Sequence, residues 1–166
     1  MKKLISMLLL SIICFLLIGC AKEEPLTELE QYAVDCIEQY KSKIANPDEL
    51  KIHDIRWRDG SKFFSEHWNM KEDNNSDVEG RIHIFLDKSY QNSIGGYTRD
   101  IGVCSITNEQ LVYEGDYTEN DNKTIQTGDK NWSAKQVAKA FYKDWLKVKE
   151  DNNSQISIDR VKKHID

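Results

Sequence analysis

The first nineteen residues of this 166-residue chain contain no acidic group and two basic ones, Lys2 and Lys3, and from Leu4 to Ile18 an almost unbroken apolar run follows. As a helix that run rises roughly 22 Å, short of the roughly 30 Å thickness of a bilayer core. Its order, a cationic start and then an apolar stretch, is that of an export signal which leaves the mature protein. The fold must therefore be built from about 147 residues, enough for one hydrophobic core. Two full lobes of the solute-receptor kind do not fit in that length. Removing Lys2 and Lys3 from the 23 basic residues leaves 21 against 28 acidic ones. That net negative charge argues against a nucleic-acid partner. No later apolar run approaches the roughly 20 residues a spanning helix requires.

The apolar run ends in Leu17-Ile18-Gly19-Cys20, which resembles the bacterial lipobox. The resemblance implies diacylglyceryl transfer to the Cys20 thiol and cleavage before it. Residues 1–19 are then the signal peptide, residues 20–26 the lipidated Cys20 and a short tether, and residues 27–166 a single domain. Two or three acyl chains on one residue give essentially permanent attachment, where a single chain binds only marginally. The expected location is the extracytoplasmic face of a cell membrane, with lipid on Cys20 as the one covalent addition and no further cofactor. Cys14 leaves with the signal, so the domain keeps two thiols, Cys36 and Cys104. They suit either one disulfide, closing about 68 residues, or two separate buried thiols.

Hydrophobic spacing predicts an α+β fold: an N-terminal helix, an antiparallel sheet of about four strands and a C-terminal helix. Thr27-x-x-Glu30 is a capping box, and Leu29, Ala33, Cys36 or Ile37, Tyr40 and Ile44 recur at helical spacing, predicting a helix from Glu28 to Ile44. Asn46-Pro47-Asp48 stops it, and Leu50 to Arg58 reads as a strand. Residues 59–80 have no period. Arg81 to Asp87 alternates, which predicts a half-buried strand with Ile82, Ile84 and Leu86 inside and Arg81, His83, Phe85 and Asp87 outside. Tyr97–Thr107 and Leu111–Tyr117 form a hairpin through Asn108-Glu109-Gln110, and a polar loop from Thr118 to Asn131 follows. Ser133 with Gln136 opens a second capped helix, whose stripe is Ala134, Ala138, Phe141, Trp145 and Val148. The last dozen residues suit a short edge strand or a tail. Lys71-Glu72-Asp73-Asn74-Asn75-Ser76 recurs at residues 149–154 with unmatched neighbours, a coincidence of polar loops.

The stretch Tyr40-Lys41-Ser42-Lys43-Ile44-Ala45-Asn46-Pro47-Asp48-Glu49-Leu50-Lys51-Ile52, together with Tyr90-Gln91-Asn92-Ser93-Ile94-Gly95-Gly96-Tyr97-Thr98-Arg99, resembles a group of small exported bacterial proteins and lipoproteins. These share a helix leading into an Asn-Pro-Asp-x-Leu-Lys type of segment and a later Asn-Ser-Phe-Gly-Gly-Tyr signature. Ile94 stands where the pattern has Phe, and residues 59–80 read as an insertion. The resemblance implies a helix-plus-sheet envelope domain and transfers no catalytic residue.

The remaining chemistry is sparse. Gly95-Gly96 permits a tight turn or, with Arg99 nearby, a backbone cradle for an anion or a partner strand. His53, Glu66, His67, His83 and Asp87 are the ingredients of a metal site, at no standard spacing, with His53, His83 and Asp87 its weak candidates. Asp73, Asn75 and Asp77 imitate a calcium loop that Val78 and Ile84 then spoil. No nucleophile motif or catalytic residue stands out. Phe63, Phe64 and Trp68 concentrate large aromatics in an aperiodic connection, where such residues serve as binding anchors or as a cover for the sheet. The expectation is a lipid-anchored module that binds an envelope protein or component non-covalently. The alternative is a small metal-dependent or hydrolytic envelope enzyme using His53, His83 and Asp87.

Overall fold

A computed structural model of the chain describes residues 24–60, 81–107, 110–115, 124–127 and 130–165. Cys20, Phe63, Phe64, Glu66, His67, Trp68 and residues 73–78 of the calcium-like pattern lie outside the described residues.

Helix α1, Glu28–Lys41, starts at the expected capping box: the Thr27 hydroxyl accepts from the Glu30 amide, and the Glu30 carboxylate accepts from the Thr27 amide at 2.8 Å. It ends three residues before the predicted Ile44, because the Ser42 hydroxyl turns back to the Gln39 carbonyl. A 3-10 turn, Pro47–Glu49, leads into strand β1, Lys51–Asp59. Strands β2, Ile82–Gln91, β3, Tyr97–Thr107, and β4, Gln110–Gly115, complete an antiparallel sheet in the order β1-β2-β3-β4. The α+β class and the antiparallel sheet follow the hydrophobic pattern.

The segment expected as a polar loop holds two short strands, β5, Thr124–Thr127, and β6, Lys130–Ser133, paired with each other. Four-residue strands with one apolar residue each, Ile125 and Trp132, are too short to leave a periodicity to read, although Gly128-Asp129 between them is a hairpin signal. Helix α2, Ala134–Glu150, begins at the Ser133–Gln136 capping box. The C-terminal residues are neither strand nor tail: after one bridge between Arg56 and Gln155 they form the short helix α3, Ile158–Lys162, with Ile156 and Val161 buried.

The sheet is covered on both faces. Ala33, Val34, Cys36 and Ile37 of α1 pack with Ile156 and Val161 against Ile55, Ile84, Leu86, Cys104 and Ile106. On the other face Val137, Ala140, Phe141, Trp145 and Val148 of α2 pack against Phe85 and Val103. The prediction that β2 is half-buried is therefore corrected, since His83, Phe85 and Asp87 are all buried. The physical reason is α2: its apolar stripe needs a surface, and the Phe85 row of β2 supplies it. Cys36 and Cys104 are joined in a disulfide between α1 and β3. In the chain-entropy account a closure of 68 residues stabilises by roughly 4 kcal/mol.

Buried charge is paired. Lys88 lies with its ammonium 4.0 Å from the Tyr40 ring centroid and 5.6 Å from that of Tyr90, and it pairs with Asp100. Arg58 pairs with Asp144 beneath α2. Among the described residues no helix is long and apolar enough to cross a membrane.

Candidate functional site

Cross-strand register decides which side chains share the α2 face. Asp87 lies opposite Ile101 and Ser89 opposite Arg99, so all four project on the side of the sheet that α2 covers. Beside the helix the face opens into a groove of about 430 Å³, within the range of small-molecule sites. Ile101, Val103, Phe141 and Trp145 form its apolar floor, Ala138 and Tyr142 one wall, and Asp87, Arg99 and Lys149 its polar rim; Asp100 borders it as well, with its carboxylate turned to Lys88 on the α1 face.

The rim is built around one locked pair. Arg99 donates from Nε to Asp87 Oδ1 at 2.9 Å and from Nη2 to Asp87 Oδ2 at 2.8 Å. Asp87 is buried while the Arg99 side chain remains 63% exposed, so one edge of the guanidinium is fixed and the rest faces water. The hydrogen bond and charge of Asp87 hold the Arg99 pKa above its ordinary value. Across the groove Tyr142 is 57% exposed.

The glycine pair makes a turn. Gly95 has φ +86°, and Asn92 Oδ1 accepts from the amides of Ile94 at 3.2 Å and Gly96 at 2.9 Å. The amides that an anion cradle would offer are thus already taken by the chain's own Asn92. The turn displays Ile94, 90% exposed, and Tyr97, whose hydroxyl donates to Glu49 and whose ring lies under Lys51. The Glu49 carboxylate beside it raises the Tyr97 pKa.

The weak metal candidates do not converge. His83 is enclosed, its ring 5.4 Å from Phe141 and 6.3 Å from Phe85 between centroids. Burial, with Arg81 and Arg58 nearby, pushes its pKa down to about 3, leaving a neutral imidazole. A Cβ at Gly60 would fall 2.9 Å from that ring, so the position admits only glycine without rearrangement. Asp87 lies four residues along the same strand, roughly 13 Å away at 3.3 Å per residue, and belongs to Arg99. His53 sits at the irregularity in the β1–β2 pairing, where its Nε2 meets Ser89 Oγ at 2.8 Å. Among the described residues no three His, Cys, Asp or Glu side chains are placed to hold a metal ion.

No family model matches the chain, and none of the curated proteins or solved structures compared with it does. The site accordingly rests on its own geometry. Of the residues singled out from the sequence, the structure brings together Cys36 with Cys104 and Asp87 with Arg99, and it separates His53 and His83 from each other. Sequence reasoning missed Tyr142 and Lys149 as groove residues. Ala138, Tyr142, Trp145 and Lys149 stand at i, i+4, i+7 and i+11, a second stripe beside the main one that could have flagged them.

Proposed function

We propose that this protein is a lipid-anchored domain at the extracytoplasmic face of a bacterial membrane, working by non-covalent binding of an envelope protein or component in the groove beside α2. The observation that carries this reading is the rim: its carboxylate, Asp87, is committed to an ion pair with Arg99, beside a wall on which Tyr142 is exposed. Such groups hold a ligand; they offer no poised base or nucleophile to transform one. The working unit is the N-terminal helix, about four-stranded sheet and C-terminal helix, a frame that also suits the exported lipoproteins that the chain resembles.

The anchored end and the groove are well separated. Arg160 ties down the domain end of the tether, with Nη1 on Glu24 at 3.1 Å, Nη2 on the Pro25 carbonyl at 2.9 Å and Nε on Glu30 at 2.8 Å. Four residues from Cys20 to Glu24 span at most roughly 14 Å, so the anchor holds this end of α1 near the lipid. The fourteen residues of α1 then carry the chain about 21 Å onward. There Asn46 donates to Gln91 at the far end of β2, and the hairpin bearing Tyr97 and Arg99 stands at that far end.

A photo-crosslinking residue at Tyr142, in full-length protein on intact membranes, tests the assignment against one at Glu38 on the exposed side of α1. The expected result is an adduct with a defined envelope component from Tyr142 alone, lost when Cys20→Ala releases the protein from the membrane together with its fatty-acid label. Equal adducts from both positions, or none from Tyr142, would contradict it; retention of label and membrane attachment by Cys20→Ala would contradict the anchor.

A further inference from the structure

The charges around the groove do not balance. Asp87 is taken by Arg99 and Asp100 by Lys88, while Lys149, exposed on the rim, has no carboxylate partner among the described residues. The C-terminal turn of α2 closes by its own means: the Asp151 amide and the Ser154 hydroxyl both donate to the Val148 carbonyl. The ammonium of Lys149 is thus not needed to close the helix and stands exposed at the rim. In a chain of net charge −5, this rim carries a surplus positive charge above an apolar floor.

From this juxtaposition we propose, resting on the binding role assigned to the groove, that it takes an apolar carboxylate: a carboxylate held between Arg99 and Lys149, attached to a side chain of leucine or phenylalanine size that lies against Ile101, Tyr142 and Trp145. Arg99 suits the task because Asp87 already fixes its Nε and Nη2 while the side chain stays 63% exposed. A guanidinium held in place beforehand loses little rotamer freedom when an anion arrives, and its fork matches a carboxylate. Lys149 supplies a point charge from the helix side. The apolar body covers Ile101 and Tyr142, the parts of floor and wall still open to water, above Val103, Phe141 and Trp145, which are already buried. The carboxylate can belong to the end of a peptide chain or to a free small acid.

The test is isothermal titration of the full-length lipidated protein in detergent micelles with acetyl-Ala-Ala-Phe, its C-terminal amide, acetyl-Phe and phenyl phosphate. The free acids are expected to bind, the amide at least roughly tenfold more weakly because a charge-assisted hydrogen bond is lost. Tripeptide binding tighter than acetyl-Phe assigns the peptide source; equal binding assigns the small acid. Arg99→Gln unpairs the buried Asp87 and could disturb the fold, so Lys149→Gln is the decisive variant: it is expected to weaken the free acids roughly three- to tenfold and to leave the amide unchanged. Equal binding of acid and amide, indifference to Lys149→Gln, or preference for phenyl phosphate would overturn the carboxylate assignment. If the Tyr142 crosslink forms while no free acid binds, the ligand class alone is wrong; if the crosslink is also absent, the binding groove fails with it.

Discussion

The two faces of β2 are built from alternate residues of one strand and do different work. Ile84 and Leu86 point into a seal of aliphatic side chains under α1 and α3, bolted by the Cys36–Cys104 disulfide. His83, Phe85 and Asp87 point the other way, into a layer where aromatic rings sit beside a neutral buried imidazole, the Arg58–Asp144 pair and the Asp87–Arg99 pair. Apolar contact stabilises wherever it occurs, whereas a buried polar group costs stability unless its partner is in place. The α1 face carries one buried charge pair, Lys88 with Asp100, whereas the α2 face carries two beside an open groove. The first face holds the fold; the second carries the candidate groove.

The largest expected effect lies on the sealed face. Replacing Cys36 and Cys104 together by Ala is expected to lower unfolding stability by roughly 4 kcal/mol, read from chemical denaturation of oxidised wild type and variant. Crosslinking at Tyr142 should survive under conditions where the variant remains folded. A loss of crosslinking at unchanged stability would break the division between the faces.

The α2 face should betray itself through pH. Folded His83 has its pKa pushed down to about 3 by burial, below the ordinary 6.5, so the unfolded chain binds the extra proton between those values. Stability from this group is fully present above about pH 6.5 and is lost as pH falls toward 3. Between pH 7 and pH 5 the loss is about 2 kcal/mol. His83→Gln should flatten the pH slope by that amount in denaturation series; an unchanged slope would place the titration elsewhere.

Much of the frame was legible in the sequence because its signals are local. Both capping boxes, the stripe of α2 and the alternation of Ile82, Ile84 and Leu86 follow from spacing alone. The polar half of β2 was not, because burial of His83, Phe85 and Asp87 depends on a helix that begins some fifty residues later. The end of α1 moved by one turn because the short Ser42 side chain satisfies a carbonyl that apolar periodicity ignores. The groove was the least legible part. Arg99 was noticed beside the glycine pair, yet its partner Asp87 becomes visible only when the hairpin register folds the two strands about Ile94. Tyr142 and Lys149 become groove residues only when α2 lies down beside that pair.

The most direct test of the division between the faces is Tyr142→Ala, measured twice. The side chain is half exposed on the groove wall, so its truncation should change unfolding stability by less than about 0.5 kcal/mol. Affinity for the component that crosslinks at this position should fall by about 2 kcal/mol, roughly thirtyfold. A variant that unfolds several degrees earlier and, when folded, binds as tightly as wild type would contradict the account, making the α2 face a second structural layer and leaving the binding surface elsewhere.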